Sequence, residues 1–204
     1  FPRHRLTPMV NLTRIYTRTG DDGSTALADF SRTSKTDSRL AAYADVDEAN
    51  AAVGVAVTLG ELGPELSEFL LTVQNDLFDV GADLATPVAP DPEYPPLRVT
   101  ESYIERLEQA CDHYNDQLEP LRSFVLPGGT QGAALLHVAR TVVRRAERTT
   151  WAALHEHGPS MNPLPAQYLN RLSDLLFILC RYANRETGDV LWEPGQRQGG
   201  KPQE

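Results

Sequence analysis

The chain has 204 residues, with 19 Lys and Arg against 28 Asp and Glu, a net charge of −9 and a sequence pI near 5.0. That length supports one domain, or two small ones, with a sizeable core. The acidic balance excludes a long nucleic acid as partner, since such binding rests on neutralising phosphates, and no apolar run approaches the roughly 20 residues of a membrane span.

The first ten residues begin with Phe1, and Met9 comes soon after. They lack the apolar centre and cleavage site of a signal peptide and read as an N-terminal extension or tag remnant. Residues 11–193 read as one domain. Short strand-like pieces at 12–16 and 26–28 flank a glycine turn and are too short for a sheet of their own. The next segment carries a soft, Ala-rich helical stripe: Tyr43, Val46, Asn50, Val53 and Val57. Leu66, Phe69, Leu70, Val73, Leu77, Val80 and Leu84 step by three and four along a helix of about six turns. Residues 86–100 hold five prolines and cannot be helical throughout. Ile104, Leu107, Ala110, Cys111, Tyr114 and Leu118 predict the third helix. Pro127-Gly128-Gly129 breaks the chain, and Thr130 is placed to cap the fourth helix. Leu135, Val138, Ala139, Val142 and Ala146 mark that helix; Leu172, Leu175, Leu176, Leu179 and Tyr182 mark the fifth. Residues 194–204 are polar and Gly-rich and read as a flexible tail. The fold class is therefore all-α, a five-helix bundle.

Two cysteines, Cys111 and Cys180, lie inside helical patterns. They make neither a disulfide framework nor a CxxC metal site, which suits buried thiols in a reducing cytoplasm.

Four places can carry chemistry. Residues 17–25, Thr17-Arg18-Thr19-Gly20-Asp21-Asp22-Gly23-Ser24-Thr25, combine glycines, hydroxyls and a cation, as a loop that wraps an anion with N–H groups does. The P-loop spacing is missing, and a plain hairpin turn is the alternative. In residues 140–148, four arginines fall in nine positions of one helix. Arg140, Arg144 and Glu147 share a face, where neighbouring cations need carboxylate or phosphate partners; a solvated basic face is the alternative. Asp47 and Asn50 share the apolar face of Tyr43 and Val46, so Asp47 calls for a cation, with Arg140 an attractive one. The alternative there is an acidic first turn favouring the helix dipole. Asn170 and Asp174, spaced i, i+4 beside the Leu stripe, suit a structural hydrogen-bond pair. His137, on an Ala- and Leu-rich helix, reads as a satisfied core histidine. The run Phe124-Val125-Leu126 reads as core packing. His155-Glu156-His157 lacks the HExxH spacing of zinc hydrolases.

Taken in order, TRTGDDGST (17–25), Lys35, YADVDEANA (43–51), FVLPGGT (124–130), ARTVVRRAER (139–148) and YLNRLSDLLF (168–177) resemble the PduO-type ATP:cob(I)alamin adenosyltransferases. Arg18 stands where many members have Lys, and Ala44 and Ala49 where Gly and Leu are common. The resemblance implies a homotrimer of five-helix bundles with active sites at the subunit interfaces. It implies that the loop (Thr17, Arg18, Thr19, Gly20, Asp22, Gly23, Ser24, Thr25) and Lys35 cradle the triphosphate of ATP with Mg²⁺. Arg144 would touch the phosphates, and Glu147 and Asn170 would complete the nucleotide site. Asp47 and Arg140 would pair across the interface. Phe124 would line the cobalamin side, displacing the lower ligand to give four-coordinate Co(II). After reduction, Co(I) would attack the 5′ carbon of ATP and release triphosphate. A flavin reductase and an adenosylcobalamin-dependent mutase would be the protein partners. A non-catalytic, ATP-gated carrier of adenosylcobalamin is the alternative function. The metal ligands are open.

Overall fold

The computed structural model describes residues 16–92 and 95–195. Strands β1 (Ser24–Ala26) and β2 (Arg32–Ser34) precede helices α1 (Ser38–Leu59), α2 (Pro64–Leu84), α3 (Glu101–Asn115), α4 (Gln131–His157) and α5 (Leu164–Ala183). The N-terminal extension and most of the tail lie outside the described residues, as does the strand-like piece up to residue 15.

Each helix starts where its local chemistry directs. Asp37 caps α1 by accepting from the Arg39 N–H at 2.8 Å. Gly63, at φ 80°, turns the chain into Pro64, whose missing N–H costs nothing in the first helical turn. Thr130 caps α4 through Ala133, as its place after the Pro-Gly-Gly break predicts. Residues 86–92 and 95–100 contain no helix or strand.

α4 packs along both α1 and α5, while α3 lies on α5. The Ala stripe of α1 (Ala42, Ala49, Ala56) faces an equally small stripe on α4 (Ala139, Ala146, Ala153), all fully buried. Small side chains on both helices let their axes approach closely. At the end of this contact a Cβ on Gly132 would stand 2.5 Å from the Gly60 carbonyl oxygen, so this crossing requires glycine. On the other side Leu70, Leu77, Leu107, Tyr168, Leu172 and Leu176 fill the core.

The two strands form a small antiparallel hairpin; the strand-like piece expected at 26–28 overlaps β1 only at Ala26, and its partner β2 was not foreseen. Its turn contains no glycine. Asp29 replaces one: its carboxylate accepts from the Ser31 N–H at 3.0 Å and hydroxyl at 2.5 Å, which sets Phe30 at φ 65°. The Ala28 N–H donates to the Ala85 carbonyl at 3.0 Å and anchors the hairpin to the end of α2.

Candidate active site

The glycine loop is organised from within. Asp22 accepts from the Ser24 N–H (2.9 Å) and hydroxyl (2.7 Å), and these bonds are the main reason its carboxyl is held below the ordinary range. Thr17 and Thr19 share a hydroxyl contact of 2.9 Å. Arg18, in the left-handed region at φ 63°, lays its guanidinium over the Tyr16 ring. The Lys35 N–H donates to the Gly23 carbonyl at 2.9 Å. Its side chain folds back over the loop: a Cβ on Gly20 would lie 3.1 Å from Lys35 Nζ. Loop, β1 with Thr25, and Lys35 thus form one unit of turns and hydroxyls under an ammonium that has no hydrogen-bond or ion-pair partner among the described residues. Arg32 completes it, donating to the Thr19 carbonyl at 2.9 Å and to the Ser24 hydroxyl. Nothing in the sequence pattern singled out Arg32; the hairpin that carries it over the loop is a tertiary feature.

On α4, Arg140, Arg144 and Glu147 share a face, as their spacing predicts. Arg144 is exposed and has no hydrogen-bond or ion-pair partner among the described residues. Arg140 is half-buried, and its Nε has no acceptor. Glu147 accepts from Trp151 Nε1 at 3.3 Å. Arg145 points the other way and pairs with Glu48 and, at 3.9 Å, with Asp45 on α1. The side of α1 that meets α4 therefore carries Asp45 and Glu48, not Asp47.

Asp47 is exposed, and lines a groove between α1 and α2 with Tyr43, Asn50 and Phe78. The first turn of α1 holds no acidic residue, so Asp47 is not there to serve the helix dipole. Among the described residues Asp47 and Arg140 share no hydrogen bond or ion pair, nor do the glycine loop and Arg144. The loop is tied to Lys35, two residues before Asp37, and Asp37 contacts His157 at the C-terminal end of α4. Arg144 lies thirteen positions back, about 20 Å along the axis at ~1.5 Å per residue. Asn170 is exposed on α5, and Asp174 pairs with Arg171 at 2.6 Å instead, so that i, i+4 pair does not form.

Phe124 corrects a core expectation: it is 77 % exposed. Its segment is fixed by a short antiparallel pairing with the chain after α5. The Leu126 N–H donates to the Val190 carbonyl (2.7 Å), and the Trp192 N–H to the Phe124 carbonyl (2.8 Å). The Trp192 ring meets Phe124 edge-to-face at 5.9 Å. Sequence reasoning passed over Trp192 because it stands at the edge of the polar tail. The signal available was an isolated Trp outside any helix.

His137 is a second correction. It is buried, as expected, but neither ring nitrogen has a hydrogen-bond partner among the described residues. Among the described residues no group of three or more His, Cys, Asp or Glu side chains is arranged to hold a metal ion, and no helix is long and apolar enough to cross a membrane.

A helical protein with a hydroxyl-rich loop under a lysine, an unpartnered arginine stripe and a projecting aromatic pair has the parts for grasping a polyphosphate and a large apolar co-substrate. Similarity to known proteins specifies the class. The family profile described as cobalamin adenosyltransferase matches residues 15–183. A corrinoid adenosyltransferase of Mycobacterium tuberculosis is 63 % identical over 186 residues, covering 91 % of this chain and 96 % of the relative. The structure of a variant PduO-type ATP:corrinoid adenosyltransferase from Lactobacillus reuteri, complexed with cobalamin and ATP, superimposes with a TM-score of 0.81. It is 40 % identical and covers 88 % of this chain and 99 % of the other. A second variant of that protein, complexed with ATP, gives 0.79 at 39 % identity, covering 88 % and 100 %.

The protein is thus an enzyme, a corrinoid adenosyltransferase. The chain belongs to the cobalamin adenosyltransferase family, in its PduO-type branch. Nothing favours the non-catalytic carrier.

Proposed function

We propose that the protein assembles as a homotrimer and transfers the 5′-deoxyadenosyl group of ATP to cob(I)alamin at each subunit interface. The observation that carries this reading is the separation of parts. Asp47 lines the α1–α2 groove, Arg140 and Arg144 share a face of α4, and the glycine loop, whose hairpin leads through Lys35 to Asp37 at the far end of α4, makes no bond to Arg144 among the described residues. Two different patches that need one another make a heterologous interface, and a closed ring satisfies all of them. Asp47 of one copy then meets Arg140 of the next, and the loop of one copy meets the arginine stripe of the next across one ATP.

The chemistry required of the protein is modest. Co(I) is a strong nucleophile, so no protein base or nucleophile is needed. Its electron pair forms the Co–C5′ bond as the C5′–O bond breaks and triphosphate departs with those electrons. The chain must hold cobalt in line with that bond and stabilise charge growing on the leaving group. Arg144, Lys35 and the loop N–H groups do the second task, with Glu147 and Asn170 placed to hold the nucleoside end. The loop offers hydroxyls and Asp22, which suits Mg²⁺ carried on the phosphates rather than in a protein cage; bound there, the metal offsets phosphate charge. Phe124, backed by Trp192, presents an apolar wall without a ligating atom. A cobalt ion beside it would lose its lower ligand and, as four-coordinate Co(II), accept one electron from an external reductant such as a reduced flavin.

The test is a direct one. ATP, Mg²⁺ and chemically reduced cobalamin are mixed with the enzyme, and corrinoid absorbance is followed with triphosphate release. Equal yields of adenosylcobalamin and triphosphate, from a species sedimenting as a trimer, are expected. Activity from a monomer would overturn the interfacial site.

A further inference from the structure

His137 lies on α4 one turn before Arg140. It is 3 % exposed, and both of its ring nitrogens lack partners. Two other buried atoms are orphaned in the same region, Arg140 Nε and Asp189 Oδ1. Both residues bear electrostatically on His137. Burial lowers the imidazole pKa most, Arg140 lowers it further, and Asp189 opposes them. The same two residues act on the Cys180 thiol of α5, which burial pushes up to about 12. The three groups are therefore electrostatic neighbours on the side of α4 that packs against α5, each with a buried atom that has no partner among the described residues.

Their unmet needs are complementary. Arg140 Nε–H is a donor without an acceptor. Asp189 Oδ1 is an acceptor without a donor. A neutral imidazole carries one acceptor and one donor. Joined through the ring, none of these valences is left over.

We propose that His137 is a positioning residue for adenosyl transfer, linking Arg140 Nε–H to the free oxygen of Asp189 through ordered water. The other oxygen of Asp189 is already held by Arg181 Nε at 2.9 Å, and Arg181 in turn donates to the Glu119 carbonyl at 2.7 Å. Asp189 leads straight into residues 190–192, the segment whose pairing with residues 124–126 seats Trp192 against Phe124. The link therefore ties the aromatic pair on the proposed corrinoid side to the arginine that is to meet Asp47 of the partner subunit. Arg140 keeps its terminal nitrogens free for that carboxylate. This inference rests on the roles given above to Arg140 and Phe124.

The experiment compares His137→Phe and His137→Gln in the full-length enzyme. Phe fills the ring's space with no polar atom; Gln keeps one donor and one acceptor. His137→Phe is expected to raise KM for cobalamin about tenfold, the worth of one lost hydrogen bond to a charged group, with an unchanged or higher thermal midpoint. His137→Gln should recover most of that loss. ¹⁵N spectra of the wild-type imidazole with ATP bound should show a neutral ring with both nitrogens hydrogen-bonded, a readout that needs no variant. Wild-type constants in His137→Phe, or a ring with unbonded nitrogens, would overturn the link while leaving the transferase reading intact. A wild-type protein that makes no adenosylcobalamin would instead remove the reading beneath it.

Discussion

Ionised side chains at the core margin of α2 and of α4 have opposite fates. On α2, Asp76 and Asp83 are buried and fully engaged. Asp76 takes Arg106 at 2.7 Å on both oxygens and the Tyr168 hydroxyl at 3.2 Å. Asp83 takes Arg98 at 2.5 Å, the Val99 N–H at 2.7 Å and Asn162 at 2.7 Å. On α4, among the described residues, Arg140 Nε has no acceptor and Arg144 has no hydrogen-bond or ion-pair partner. A buried charge is tolerable only when paired and hydrogen-bonded. The α2 charges meet that condition inside the chain and serve the fold. The α4 charges are not under that constraint: Arg144 is exposed and Arg140 only half-buried, so neither needs a partner for the fold and both stay available to something outside the chain.

The comparison is broken most directly from the structural side. Asp83→Ala removes the acceptor of three donors and leaves Arg98 without its counter-ion. A loss of about 3–5 kcal/mol in urea unfolding is expected. A loss below about 1 kcal/mol would mean that this pair does not hold the fold.

On the α4 side the expectation reverses. Arg144→Ala should leave the unfolding midpoint where it is, because the exposed side chain makes no hydrogen bond or ion pair among the described residues. Turnover should fall by about 10²–10³, the usual cost of removing one donor to developing charge. Steady-state kinetics and thermal unfolding, measured on one sample, separate the two effects. Near-normal turnover would place the triphosphate elsewhere.

The same difference decides how far each region could be read from sequence. The helices were legible because their apolar positions repeat: the stripe from Leu66 to Leu84 is α2, which runs from Pro64 to Leu84. The arginine face was legible because helical spacing alone fixes which residues share a side. What escaped depends on contacts distant in sequence. The hairpin turn is built by an Asp29 side chain rather than a glycine. Phe124 looked like core because three apolar residues precede Pro127, yet only the pairing with residues 190–192 decides where its ring points. His137 looked satisfied because burial usually implies partners, and its candidate partner Asp189 lies beyond the end of α5.

Asp47 and Arg140 supply a subtler test, since the proposed pair exists only between copies. Asp47→Ala and Arg140→Ala should each weaken trimer assembly. The double variant should be no worse than the single ones, with a coupling of about 1.5 kcal/mol or more, as for close interfacial charge pairs. Sedimentation over a dilution series measures it. Zero coupling would show that the two charges do not meet.

Asp37 sits on the boundary between the two regions, structural by its bonds and two residues from Lys35. Burial alone would raise its carboxyl pKa, but bonds from the Thr33 hydroxyl (2.7 Å), the Arg39 N–H (2.8 Å) and His157 (2.8 Å) outweigh it and hold the folded value below the ordinary 3.8. A depressed carboxylate adds stability that is fully present above the unfolded pKa of about 3.9 and is lost as pH falls through the lower folded value. Asp37→Asn keeps an oxygen to cap α1 but not the charge. At neutral pH it should cost about 1 kcal/mol, the worth of one net hydrogen bond. That cost should shrink as acid protonates the wild-type carboxyl, so the two unfolding curves converge. A difference that stays constant from neutral pH down to strong acid would mean that the Asp37 charge contributes nothing, and that only its shape as a helix cap matters.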